Sequence, residues 1–161
     1  METILVRRFR NTDAEGVTKL MQALARHHGD QACAKPQDFL MHCLGTQRLG
    51  DCWVARRSGL LCGFVLTYDR FNFVNARITR TVDLLYVVPS HRKSGIGRAL
   101  MAAAARDATQ KDVRRMVIGA DPDNLATLKF YQKLGLQKEY KKSMRFTLDT
   151  AQIRELARKS H

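Results

Sequence analysis

A chain of 161 residues with 45% hydrophobic composition is long enough for one domain with a real core, which excludes a disordered polymer. It holds no run of about 18 apolar residues, so no membrane span is expected, and its charged opening METILVRRFR lacks the apolar stretch of a signal peptide. With 28 Lys and Arg against 15 Asp and Glu, a net charge of +13, it suits a polyanionic partner: a nucleic acid, an acidic membrane surface or a phosphate-rich small molecule.

Strand and helix signals alternate along the chain. ILVRRF (4–9) reads as a short strand. Thr12 and Glu15 form a capping-box pattern, and Val17, Leu20, Met21 and Leu24 recur at helical spacing, predicting a helix over 13–27. His27-His28 ends that helix at the surface. Pro36 opens a second, short helix with Phe39, Leu40 and Cys43 facing inward.

CWVARR (52–57) and LLCGFVLTYD (60–69) are strands joined by the tight turn Ser58-Gly59. Residues 70–78 are expected as a loop or bent connection. TRTVDLLYVV (79–88) is apolar and β-prone, as a central strand would be, and Pro89 ends it. From Gly95 to Thr109 the pattern is helical, with Ile96, Ala99, Leu100 and Ala103 on one face. A strand at 114–120, a helix at 124–135 capped by Gly135, and a last strand at 143–148 follow. Residues 151–159 read as a short helix or a frayed basic tail. The order β-α-α-β-β-β-α-β-α-β predicts one mixed α/β domain over 1–150, with 151–161 appended.

Cysteines stand at 33, 43, 52 and 62, without CxxC pairs or zinc-like histidine spacing. Free thiols in a reducing cytoplasm are expected, and no metal site.

PSHRKSGIGRAL (89–100) concentrates the chemistry. A helix begins with unpaired N–H groups and a partial positive charge. Glycine removes the Cβ that would hold a phosphate away from the backbone. A strand, a proline, a basic turn, Gly95-Ile96-Gly97 and a helix together make a cradle for a diphosphate, with Arg92 and Lys93 at its mouth. It is not a P-loop, because Lys93-Ser94 precedes the glycines, and not a dinucleotide fingerprint, because Leu100 stands where the third glycine belongs. A turn without a ligand would satisfy the same short pattern.

LLYVVPSHRKSGIGRALM resembles the cofactor motif of the GNAT superfamily of acetyl-CoA-dependent N-acetyltransferases: strand, (R/Q)-x-x-G-x-(G/A), helix. NLATLKFYQKLGL (124–136) resembles the family's second motif through Asn124, Phe130, Tyr131 and Gly135, and VRRFRNTDAEGV is similar to its opening strand and helix. The resemblance implies a single mixed-sheet acyltransferase fold with splayed central strands. It implies acetyl-CoA as cosubstrate, its diphosphate on the glycine turn and its pantetheine arm along the end of the central strand. The cofactor-binding residues so implied are Leu85, Tyr86, Val87, Val88, Arg92, Lys93, Ser94, Gly95, Ile96, Gly97 and Arg98, with Asn124 and Tyr131.

Acyl transfer to an amine needs a base for the ammonium proton and a donor for the leaving sulfur. The resemblance gives the donor role to Tyr131; a half-buried helical aromatic is the plainer reading. Asp83 interrupts an apolar strand, where a charge is costly without a partner. Segment 60–100 is similar to the branch containing diamine and thialysine acetyltransferases, and there Asp83 aligns with a glutamate near the reacting amine. Leu84 replaces the acid that follows, and Asp83 is one methylene shorter, which favours proton removal through water. A surface pair with Arg80 or Arg77 is the structural alternative.

Loops 29–39 and 69–77, with Asp38, Tyr68, Asp69, Phe71 and Phe73, are expected to line the acceptor pocket. The acceptor expected is a small amine or amino-acid-like metabolite; a protein lysine or N-terminal amine is the alternative. A basic nucleic-acid-binding module and a CoA-binding scaffold without activity are the other classes weighed. No helix-turn-helix spacing, CxxC finger or aromatic basic strand supports the former. Many members of the family are dimers, which leaves a homodimer open.

Overall fold

The computed structural model describes residues 3–139 and 147–158. They fall into two compact units, Met1–Pro122 and Asp123–His161. The first contains a five-stranded sheet in the order β1-β2-β3-β4-β5. Its strands are β1 (Ile4–Arg8), β2 (Asp51–Arg57), β3 (Leu60–Asn72), β4 (Arg77–Val87) and β5 (Val113–Ile118). The first four run antiparallel to their neighbours, and β5 is parallel to β4. This is the mixed sheet expected from the alternation of elements.

Helices α1 (Ala14–His27) and α2 (Pro36–Cys43) pack on one face. Their Val17, Leu24, Phe39 and Cys43 form one core with Val54, Phe64 and Tyr86 of the sheet. Helix α3 (Ile96–Gln110) covers the other face. Side chains alternate across a strand, so Gly63, next to Phe64, points the opposite way. A Cβ on Gly63 would lie 3.3 Å from Leu100 and 3.4 Å from Ile96, both on α3, and only 2.7 Å from the Tyr86 carbonyl. This bare position lets β3, β4 and the start of α3 close together.

Two expectations change. The 70–78 segment is not a loose connection: β3 continues to Asn72 and β4 starts at Arg77, leaving only 73–76 as the turn. Phe71 on one arm, paired with Ile78 on the other and followed by Thr79, supplies β-prone residues that extend the ladder. The start of α1 is also different. A short 3-10 turn over Asn11–Asp13 precedes it, and the Asp13 carboxylate, not Thr12, accepts the Arg10 N–H at 2.9 Å. Asp13 is bound by Arg7 at 2.6 and 2.9 Å and by Arg56 at 3.1 Å, which ties β1 and β2 to the head of α1.

Ion pairs also fix α3. Arg80, wholly buried, grips Asp69 with two bonds of 2.7 Å, meets Asp107 of α3 at 2.8 Å, and donates to the Ala104 carbonyl at 2.8 Å. Asp107 also meets Arg8 and Lys111, and Asp51 binds Arg8, Arg48 and Lys111.

The second unit holds α4 (Leu125–Lys133) and α5 (Thr150–Arg158). The strand expected at 143–148 falls largely outside the described residues, and 147–148 carry no regular structure. Among the described residues no helix is long and apolar enough to cross a membrane, and no cluster could hold a metal. Of the four free cysteines Cys33 is exposed and the rest are buried; burial pushes the Cys52 thiol well up.

Candidate active site

The geometry is built around an irregularity in β4. Leu84 pairs with Leu66 and Val82 with Thr67, so Asp83 is the extra residue of a β-bulge. Bulges bend a strand and re-aim a side chain. The parallel pairing of β4 with β5 ends at the same point, with Val82 opposite Ile118. From Leu84 onward, β4 is paired with β3 only, among the described residues.

That one-sided stretch leads into the glycine turn. Val88 donates to the Cys62 carbonyl at 3.0 Å. Antiparallel alternation then turns the main-chain groups of Leu85 and Val87 away from β3. The Arg92 Nε donates to the outward Val87 carbonyl at 3.0 Å, and its guanidinium lies 5.8 Å from the Tyr86 ring. Arg92 therefore braces the turn against the strand it follows, a role the charge pattern alone did not reveal. Tyr86 is buried against Phe64. Ile96 is wholly buried as well, so these two side chains serve the core and offer only their backbone to a ligand.

The turn is a 3-10 segment, Pro89–His91, followed by residues 92–95. Ser94 donates its hydroxyl to the His91 carbonyl at 2.6 Å and closes it. Lys93 at φ 61° and Gly95 at φ 87° are both left-handed. Gly95 is the N-cap of α3, and no side chain caps that end. The Gly95 carbonyl accepts from Ala99, which leaves the first-turn N–H groups of Ile96 and Gly97 without helical acceptors. Uncapped amides, the helix dipole, and exposed Arg92 and Lys93 make this end a place for a diphosphate.

Asp83 is exposed and pairs with neither Arg80 nor Arg77 across the sheet, since Arg80 is committed to Asp69 and Asp107. It lines a cavity of about 320 Å³ between α1, α2, β3 and the bulge. Asp38 and Tyr68, two of the expected acceptor-site residues, line it too. Asp69 does not, being held by Arg80. Phe71 and Phe73 stack edge to face at 4.9 Å near the end of the β3–β4 hairpin, and Phe71 lines a different cavity. Sequence reasoning missed Leu49, His42 and Leu66 in the cavity wall, because only the fold brings the segment before β2 to the middle of β3 and β4. Gly63 was also missed; a lone glycine inside an apolar strand was the available signal.

Asn124 and Tyr131 belong to the second unit. The Asn124 side chain accepts from the Thr127 N–H at 3.1 Å and caps α4. Burial pushes the Tyr131 phenol up to about 12, so it is a neutral donor at physiological pH.

The sequence profile described as "Acetyltransferase (GNAT) family" matches residues 17–136. A curated relative, an aminoglycoside N(6')-acetyltransferase type 1 of Salmonella typhimurium, is 32% identical over 89 residues, 53% of this chain. The match spans only 61% of that relative's length. Among solved structures, an aminoglycoside N-acetyltransferase in complex with CoA superposes with a TM-score of 0.77 at 24% identity, covering 93% of this chain and 97% of that one. A ribosomal-protein-alanine N-acetyltransferase from Brucella melitensis gives a TM-score of 0.72 at 24% identity over 89% of this chain and 100% of that one. The structural likenesses establish the fold.

Proposed function

Because the chain belongs to the GNAT acetyltransferase family, we propose that it is an N-acetyltransferase that moves an acetyl group from acetyl-CoA to a small primary amine. The observation that carries this reading is a coincidence in β4: the bulge at Asp83, the end of pairing with β5, and a one-sided stretch running straight into an uncapped helix start. Bound there, acetyl-CoA would supply a thioester carbonyl for the amine to attack.

The residues present fit that cosubstrate. Gly95, Ile96 and Gly97 offer main-chain donors at a positive helix end, and Arg98, Lys93 and Arg92 add charge beside them. Leu85 and Val87 turn main-chain groups outward, as a partner lying alongside like an added strand requires. The Val87 carbonyl already holds Arg92, so the Leu85 groups are the freer anchor. Tyr86, Val88, Ile96 and Ser94 hold the shape of strand and turn.

Asp83 is the base of this proposal. A carboxylate at the bulge, facing the cavity, takes the ammonium proton through an intervening water and leaves a neutral nucleophile. Tyr131 donates to the departing sulfur; its motif and its protonated phenol support that role. Asn124 shapes the start of α4. The curated relatives' name, aminoglycoside acetyltransferase, supports an amine as acceptor.

Mass spectrometry tests the proposal: purified protein with acetyl-CoA and a panel of primary amines should yield an amine heavier by one acetyl group. Acetyl-CoA binding without acetylation of any amine, small or protein-borne, would leave only a scaffold.

A further inference from the structure

We propose that the acceptor is a single primary amine carried on an apolar body, and that polycations such as polyamines and aminoglycosides are poor substrates. This rests on the acetyl-transfer reading above and concerns the Asp83 cavity. The chain has 28 lysines and arginines, yet among the described residues none lines this cavity. Two carboxylates do, Asp38 and Asp83. On so basic a protein, a hollow lined by two carboxylates and one histidine, with no lysine or arginine among the described residues, selects a cation.

The rest of the wall limits how many cations it takes. Met21, Phe39, Leu49, Leu66 and Leu84 are apolar. Asp38 already accepts the Lys35 N–H at 2.7 Å through one oxygen, as the cap of α2. Each further ammonium group of a polycation would meet hydrocarbon, where an unpaired charge is costly. Volume agrees: about 320 Å³ lies at the low end of small-molecule sites.

One exposed aromatic refines the picture. Tyr68, exposed on β3, adds an aromatic face beside the acids, which suits an ammonium group or an aromatic ring. An arylalkylamine fits all of this: one cation for Asp83, one apolar ring for the leucines and Phe39.

The test compares kcat/KM for phenethylamine, spermidine and sisomicin, with acetyl-CoA affinity measured separately by calorimetry. The expected result is a preference for phenethylamine of at least about tenfold over both polycations. Leu49 is 71% exposed, so Leu49→Glu should leave the fold and acetyl-CoA affinity unchanged while lowering kcat/KM for phenethylamine about tenfold. With acetyl-CoA bound, the inference is overturned by equal or better use of spermidine or sisomicin, by turnover of none of the three, or by an unaffected Leu49→Glu. Failure to bind acetyl-CoA overturns the acetyl-transfer reading instead.

Discussion

Asp83 shows what a single residue can and cannot announce. A carboxylate within TVDLLYVV stands out because an unpaired charge in an apolar strand is costly. The sequence does not say whether the charge is relieved by an arginine or put to use, because register depends on partners far along the chain. The bulge decides it: Asp83 leaves the ladder, and Arg80 is taken by Asp69 and Asp107. Asp83→Asn should lower kcat about a hundredfold at neutral pH without changing acetyl-CoA affinity; an unchanged kcat in steady-state assays would remove the base role. Tyr131 has its own signature. With its phenol pushed up to about 12, kcat should show no alkaline decline from this group below about pH 10, and Tyr131→Phe should lower kcat about a hundredfold at all pH values below that. An unchanged kcat in Tyr131→Phe would remove the donor role, and a wild-type alkaline limb below about pH 10 that vanishes in the variant would contradict the raised phenol.

At the scale of elements, the glycine turn was the most legible part. Proline, glycine and the start of helical periodicity are local signals, and α3 begins at Ile96, one residue after the expected Gly95. The hairpin was less legible. RFNFVNAR contains asparagine and charge, which read as loop, but strand pairing across Asn72 and Arg77 carries the ladder on. The cap of α1 was misread because Thr12 and Glu15 fit a local pattern while Asp13 is held by arginines of β1 and β2. Gly63 had no visible purpose until α3 was seen against it. Gly63→Ala would drive a Cβ to 2.7 Å from the Tyr86 carbonyl, and the expected loss is about 1–3 kcal/mol, read as a fall in thermal midpoint. Unchanged stability would mean that the strands and α3 can part without cost.

Over the whole molecule, net charge proved a poor guide to where the charge acts. Arg7, Arg8, Arg48, Arg56, Arg80 and Lys111 are held by Asp13, Asp51, Asp69 and Asp107 within the fold. Such pairs join residues up to 99 positions apart, so no local pattern exposes them. They also set how the fold responds to acid. Burial alone would raise the Asp13 carboxyl, but the Arg7 hydrogen bonds, the Arg10 N–H and the charges of Arg7 and Arg56 outweigh it and hold the group below its ordinary value. Asp107 is shifted the same way: burial raises it, and Arg80, Lys111 and Arg8 lower it further. A depressed carboxylate stabilises the fold fully above its unfolded value near 3.9 and loses that contribution as pH falls through the folded value. Thermal midpoints should therefore hold from neutrality to about pH 5 and fall below about pH 4. Asp13→Asn should cost about 3 kcal/mol at pH 7 and progressively less in acid; an equal deficit at both extremes would mean the charge is not what matters.

The central claim is that the uncapped start of α3 and the one-sided end of β4 hold acetyl-CoA. Calorimetric titration of acetyl-CoA into the wild type and into Gly95→Val tests it most directly, with thermal melting to confirm that the variant folds. Valine resists the left-handed φ of 87° at this position. The account predicts saturable binding to the wild type and an affinity at least about tenfold weaker in the folded variant. No heat with the wild type, or equal affinity in both proteins, would contradict it.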